Sequence, residues 1–131
     1  MTRVLFVCIG NSCRSPMAEA LANHLGAGVV EASSAGIYPA SIIQPETIQA
    51  LAERSLRVEP RQPRNLLFED PSRIDVLVNM SGAPVVRVLQ GFAGREVVWQ
   101  VRDPVGQSME VYRQVRDEIE GKVAELLQEL R

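Results

Sequence analysis

The chain has 131 residues, a formal net charge of −2, 46% hydrophobic and 23% charged residues, which suits one globular domain over 1–131 with a single sizeable core. That balance lacks the basic footprint of a nucleic-acid binder, and no stretch approaches the ~20 apolar residues of a membrane span, so neither nucleic acid nor membrane is expected as a partner. Two cysteines are too few for a secreted disulfide framework or a structural zinc site, so the expectation is a cytoplasmic setting and no metal.

Thr2 to Cys8 reads as the first strand, because Val4 to Val7 is a continuous apolar run rich in β-formers. The run is shorter than a signal-peptide core and passes straight into polar residues, so the fold is expected to begin at once. Ser15-Pro16 reads as N-cap and first residue of a helix whose inner face is Met17, Ala20, Leu21, His24 and Leu25, ended by Gly26. His24, the single histidine, lies well past the loop and reads as structural. Val29 to Ser33 is a second strand, and Ser34-Ala35-Gly36 turns the chain out. Pro45-Glu46 opens a second helix with Ile48, Leu51 and Ala52 on its apolar stripe. Glu59 to Arg73 is read as loop with a helical turn at 64–68. Arg54, Arg57, Arg61 and Arg64 read as a solvated face that could also attract an acidic partner.

Ile74 to Met80 is a third strand, uniformly apolar as in a sheet covered on both faces. Pro84 is expected to start a helix with Val85, Val88, Leu89 and Phe92 as its stripe. Glu96 to Val101 is the fourth strand. The last helix runs from about Ser108 to the end, with Val111, Val115, Ile119, Val123, Leu126 and Leu130 down one side, and Gly121 within it costs ~1 kcal/mol relative to Ala. Strand and helix alternate throughout, which implies an α/β fold with a parallel sheet and right-handed crossovers. Ligands of such sheets bind beyond the carboxyl ends of the strands, where Cys8 lies.

The loop between the first strand and the first helix carries the chemistry. A glycine-containing loop leading into a helix N-terminus turns free N–H groups and the positive end of the helix dipole toward an anion. Cations and helix N-termini favour a thiolate, and the thiolate is the nucleophile. Cys8 therefore reads as a nucleophile beneath an oxyanion held by the backbone of Ile9, Gly10, Asn11, Ser12 and Cys13. Arg14 would grip two oxygens at once. Ser15 could donate its hydroxyl to the sulfur as well as cap the helix.

The run Cys8-Ile9-Gly10-Asn11-Ser12-Cys13-Arg14-Ser15-Pro16-Met17-Ala18-Glu19-Ala20 resembles the signature loop of the low-molecular-weight protein tyrosine phosphatases, a fold and loop shared by the thioredoxin-coupled arsenate reductases. Ser34-Ala35-Gly36 after the second strand is similar to the family as well. The resemblance implies a three-layer α/β/α fold of the phosphotyrosine protein phosphatase I-like kind, with a four-stranded parallel sheet in order 2-1-3-4. It also implies a phosphocysteine mechanism without metal or organic cofactor.

A leaving alkoxide or phenoxide needs a proton from an acid held across the substrate from the sulfur. Asp103-Pro104 follows the fourth strand at the edge where Cys8 lies, and the proline holds Asp103 extended toward the cleft. The family's Asp-Pro sits in that place and serves as general acid, then as base. Asp70-Pro71 is the same dipeptide at the other edge.

The sequence departs from both branches of the family. Val105-Gly106-Gln107 stands where the phosphatases carry aromatic residues, and Ser81 stands about where the reductases carry a resolving cysteine. The reading is a cysteine-dependent phosphatase acting on phosphorylated protein, phosphotyrosine first, or on a small phosphomonoester. The alternatives are an arsenate reductase that takes arsenate plus an external thiol such as glutathione or mycothiol, and a non-catalytic phosphate-binding module. Cys13 reads either as packing or as a redox partner that would trap an oxidised Cys8 as a disulfide.

Overall fold

A computed structural model describes residues 1–58 and 61–131. The apolar run at the N-terminus forms β1, Thr2–Cys8, and its residues from Val4 onward are buried. Burial on both faces follows from its place inside the sheet. β2 (Val30–Gly36), β3 (Val76–Asn79) and β4 (Arg95–Val98) complete a four-stranded parallel sheet in the order β2-β1-β3-β4. Cys8 pairs with Gly36 and Val7 with Asn79, which in turn pairs with Val98. The carboxyl ends of all four strands therefore meet at one edge, with Cys8 near its middle.

The two faces of the sheet are covered differently. α1 (Arg14–Leu25), α2 (Pro45–Ala52) and α3 (Met109–Leu130) bring side chains to the face of Val4, Phe6, Val76 and Val78. Val115, Ile119, Val123 and Leu126 are buried on α3 as its 3.6-residue stripe requires, and the Ser108 hydroxyl caps that helix by accepting from Val111 N–H. On the other face, Leu5, Val7 and Leu77 pack under Leu66, Val85 and Leu89. That layer is thin, made of loop and three 3-10 turns at Leu66–Phe68, Pro71–Arg73 and Val86–Val88.

The helix expected after Pro84 is thus one 3-10 turn. Val85 and Leu89 are buried as the stripe required, but Val88 is exposed. Three β-branched valines with two buried anchors do not offset the cost of nucleating a helix. β4 also stops early, at Val98 rather than Val101, because the Val101 carbonyl is taken by a side chain and not by a strand. α1 begins two residues sooner than expected, at Arg14 rather than Pro16, and faces inward with Met17, Ala18, Leu21 and Ala22, while His24 and Leu25 are exposed. α2 buries Thr47, Ala50 and Leu51, and leaves Ile48 and Ala52 in solvent. Gly26 does end α1, but without a left-handed φ; a Cβ there would meet Leu127 Cδ2 at 2.5 Å, so the residue is small because α3 passes close by. The first two residues of the expected Glu59–Arg73 loop lie outside the described residues. Among the described residues no helix is long and apolar enough to cross a membrane.

Candidate active site

The loop from Ile9 to Cys13 is fastened by its carbonyls. Ile37, Tyr38 and Ala40 donate their N–H groups to the carbonyls of Cys8, Ile9 and Gly10, and Gln44 N–H donates to that of Ser12. The Thr47 hydroxyl reaches the Ser12 carbonyl too, at 2.8 Å, and Met17 N–H closes the first helical bond on Cys13. Among the described residues, no main-chain N–H from Ile9 to Arg14 donates to a protein acceptor. The loop is therefore polarised, with its carbonyls bound outward and its donors left for whatever sits above Cys8. Asn11 adopts a left-handed φ of 51°, the bend that lets consecutive N–H groups converge into an anion nest. Gly36 is what allows the loop to lie so close to β2, since a Cβ there would stand 2.6 Å from the Ile9 carbonyl and 2.8 Å from Asn11 N.

Cys8 is buried at the end of β1, with its sulfur 2.9 Å from Ser15 Oγ. The Ser15 hydroxyl makes the contact to sulfur expected of it but does not cap the helix. The N-cap position is Cys13, and no side chain caps α1. An uncapped N-terminus leaves its amides free for an anion. Asn11 Nδ2 donates to Ser15 Oγ and to Ser34 Oγ, each at 2.9 Å, so a polar chain runs from the sulfur to β2.

Arg14 is fixed before any anion arrives. Its Nη1 donates to the Met80 carbonyl at 2.6 Å and to the Val101 carbonyl at 3.0 Å, and its side chain is 6% exposed. Nη2 lies 3.6 Å from Asp103 Oδ2. Asp103 is 42% exposed, and its Oδ1 accepts from Val105 N–H at 3.1 Å, an Asx turn that holds the carboxylate over the mouth. Cys8, Ser12, Arg14 and Asp103 line one cavity of about 230 Å³, closed at the sides by Ala40, Gln44 and Val105. Of the sequence-predicted residues, Cys8, Ile9, Gly10, Ser12, Cys13, Arg14 and Asp103 line this cavity, whereas Asn11 and Ser15 do not line it and join the site through the hydrogen bonds that lead to the Cys8 sulfur.

Cys13 is buried against Tyr112, Sγ to hydroxyl 3.5 Å. Burial pushes its thiol above the ordinary range, against the lowering pull of the hydrogen bonds from Tyr112 and Ser12. Tyr112 is itself pushed up, first by burial and then by Cys13. Both cysteines are free thiols. Ser81 builds a turn: its hydroxyl donates to Asn79 Oδ1 at 2.6 Å and accepts from Ala83 N–H at 3.1 Å. His24 stands in a different cleft, beside Arg57 and Arg61.

Several contributors carry no signal in the sequence. Gln44 acts through its main-chain N–H and Met80 and Val101 through their carbonyls, for which residue type is nearly irrelevant, while Thr47 uses its hydroxyl from a helix position far from the loop in sequence. Of the arginine cluster expected to be solvated, Arg54 pairs with Asp117 and Glu120, while Arg61 turns inward to Asn11, Glu19 and Ser34.

Comparison with known proteins follows the same lines. The family profile of low molecular weight phosphotyrosine protein phosphatase matches residues 3–131. A glutaredoxin arsenate reductase of Synechocystis sp. is 33% identical, over 97% of this chain and 97% of its own length. A protein-arginine-phosphatase of Bacillus subtilis is 30% identical, over 98% and 96%. The solved structure of an arsenate reductase in the phosphate binding state superposes with a TM-score of 0.89 at 31% identity, covering all of both chains.

Proposed function

The chain belongs to the family of low molecular weight phosphotyrosine protein phosphatases, and within that family of enzymes we propose that it is a cysteine-dependent phosphatase, with protein phosphotyrosine first among its substrates. The observation that carries this is the one-sided bonding of the loop: its carbonyls are bonded to the protein while, among the described residues, its main-chain N–H groups from Ile9 to Arg14 donate to no protein acceptor, beside the cavity that Cys8 and Arg14 line. Donors fixed in advance around a developing negative charge are the largest single contribution to most acyl- and phosphoryl-transfer catalysis.

Cys8 Sγ attacks phosphorus, and an S–P bond forms as the P–O bond to the leaving group breaks. Arg14 and the loop amides hold the equatorial oxygens. Protonated Asp103 gives its proton to the departing oxygen. Its carboxylate then takes a proton from the water that attacks the phosphocysteine; inorganic phosphate leaves, and thiolate and acid are restored. Ile9 and Val105 are exposed apolar residues that line the cavity, and they support an aryl leaving group attached to a larger chain.

A second reading is favoured by the 33% identity to the Synechocystis arsenate reductase. Arsenate has the charge and tetrahedral shape of phosphate and would fill the same cradle. With Cys8 and Cys13 the only cysteines and Ser81 tied into its turn, an external thiol would have to supply the electrons. One preparation decides between the two. Turnover of an aryl phosphate and of phosphotyrosine and phosphoarginine peptides is measured beside arsenate-dependent oxidation of glutathione, mycothiol and glutaredoxin. The phosphatase reading predicts aryl phosphate and phosphotyrosine turnover that is lost in Cys8→Ser. Arsenate-dependent thiol oxidation with no phosphate release would replace it by the second reading.

A further inference from the structure

A guanidinium stands behind the loop, on the side away from the cavity. Arg61 Nη1 donates to Asn11 Oδ1 at 2.9 Å, and Nη2 donates to Ser34 Oγ at 2.8 Å and Glu19 Oε1 at 3.1 Å. The main-chain N–H of Arg64 reaches the same Asn11 Oδ1 at 2.9 Å. Two donors on that oxygen decide which way the amide faces. Turned over, the Asn11 NH₂ would meet the guanidinium and the Arg64 N–H, donor against donor. Nδ2 must therefore face Ser15 and Ser34, and it spends both hydrogens on them. Ser15 Oγ is an acceptor in that bond, so its single proton is left for the Cys8 sulfur 2.9 Å away.

We infer that Arg61 is a positioning residue for the reaction: together with the Arg64 N–H it locks the Asn11 amide in one orientation and so makes the Ser15 hydroxyl donate to the Cys8 sulfur. Donation to sulfur favours the thiolate; a hydroxyl accepting from S–H would favour the thiol. With the amide free to turn over, Asn11 Oδ1 would compete for the Ser15 proton and the nucleophile would lose its donor.

The cluster is built for this. Arg61 joins the loop (Asn11), α1 (Glu19) and β2 (Ser34), and its side chain is 16% exposed. Ser34 completes the circuit by donating to Glu19 Oε1 at 2.6 Å. A lysine could not place separate donors on three oxygens of this arrangement with a planar fork. The titratable and charged groups around Arg61 are Glu19, His24, Arg57 and Arg64, which share a cleft with it, and the half-buried Glu69, which feels Arg64, Arg61 and Glu19. Those around Cys8 on the cavity side are Cys13, Arg14 and Asp103, and Arg61 makes no hydrogen bond or ion pair with any of them among the described residues. Its effect on the nucleophile passes through the direction of two hydrogen bonds.

The inference rests on Cys8 being the nucleophile, and the test reads Cys8 without needing turnover. The rate of iodoacetamide alkylation at Cys8, located by fragment mass spectrometry, is followed against pH in wild type, Arg61→Gln, Arg61→Lys, Ser15→Ala and the double variant Arg61→Gln/Ser15→Ala. Arg61→Gln should move the rise in alkylation to higher pH and lower kcat/KM for an aryl phosphate by about tenfold, the weight of one charge-assisted hydrogen bond, mostly in kcat. Arg61→Lys should fall between, and added guanidinium should restore part of the Arg61→Gln loss. In the Ser15→Ala background Arg61→Gln should cause no further shift. Superimposable pH profiles in Arg61→Gln and wild type would overturn the inference, and so would a full shift that persists without Ser15. If Arg61→Gln does not fold, Arg61→Lys alone carries the same comparison with the same outcomes. Should Cys8→Ser retain turnover, the phosphatase mechanism fails while the alkylation result still stands by itself.

Discussion

Asp70-Pro71 and Asp103-Pro104 are the same dipeptide in nearly the same local form, set at opposite edges of one sheet. In each, the aspartate Oδ1 accepts from the N–H two residues on, Ser72 in one case and Val105 in the other. Asp70 precedes β3 and opens a 3-10 turn beside Arg3 and Arg73. Asp103 follows β4, and its other oxygen lies 3.6 Å from Arg14 above the loop of Cys8. Local turn chemistry therefore does not distinguish the two aspartates; their surroundings do. The carboxyl edge supplies a helix N-terminus with free amides, a buried thiol and an anchored guanidinium; the amino edge supplies a turn in solvent.

The most direct way to break this comparison is to neutralise both aspartates. Asp103→Asn should slow esters with poor leaving groups by roughly 10²–10⁴-fold and esters with good leaving groups far less, while Asp70→Asn should leave steady-state turnover at the wild-type level. Equal slowing of both ester classes by Asp103→Asn would make that residue structural. Arg14→Lys should cost roughly 10²–10³-fold in kcat, because a single ammonium cannot both bind the Met80 and Val101 carbonyls and grip two phosphoryl oxygens. Arg73→Lys, the equivalent change at the amino edge, should be silent in the same assay.

The edges also differ in how they respond to pH. Burial raises the Cys13 thiol, so the folded chain keeps a proton that the unfolded chain sheds above about pH 9. Its share of stability is whole below that pH and is lost as pH rises toward the folded value. Asp70 runs the other way. The hydrogen bonds from the Ser72 hydroxyl and N–H lower it, so its share is present above the ordinary carboxylate range and is lost as pH falls through the folded value. Thermal melts across pH should show Cys13→Ser flattening the alkaline limb and Asp70→Asn flattening the acid limb, each leaving the opposite limb in place. Smallest of all is a change remote from both edges. Gly121 lies exposed inside α3, and a Cβ added to it would meet nothing within 4 Å, so Gly121→Ala should add about 1 kcal/mol of stability, read as a raised Tm with unchanged turnover.

What can be read from the sequence is whatever depends on short runs of side chains. β1, the loop behind it and the Asp103-Pro104 turn are each specified within a dozen residues, and α3 repeats its stripe over six turns. The segment from 81 to 94 defeats such a reading because Pro84 and the spacing of Val85 and Leu89 imitate a helix start, whereas the chain there only has to lay two apolar side chains on Leu77 and Val7. The supports of the site are hidden for another reason. Met80, Val101 and Ser12 take part through carbonyls, and Arg61 reaches the loop across 50 residues of chain. Such contacts exist only once the sheet has brought its carboxyl ends together.

A phosphoryl group that Cys8 carries between the two half-reactions can be trapped on its sulfur. Wild type, Cys8→Ser and Asp103→Asn are mixed with an activated aryl phosphate, quenched within one turnover and mapped by fragment mass spectrometry. One phosphoryl group is expected on Cys8 in wild type, more of it in Asp103→Asn because water is no longer activated, and no release of the aryl alcohol from Cys8→Ser. Steady phosphate release from Cys8→Ser, or a phosphoryl group on another residue that turns over at the rate of the reaction, would contradict Cys8 as the carrier.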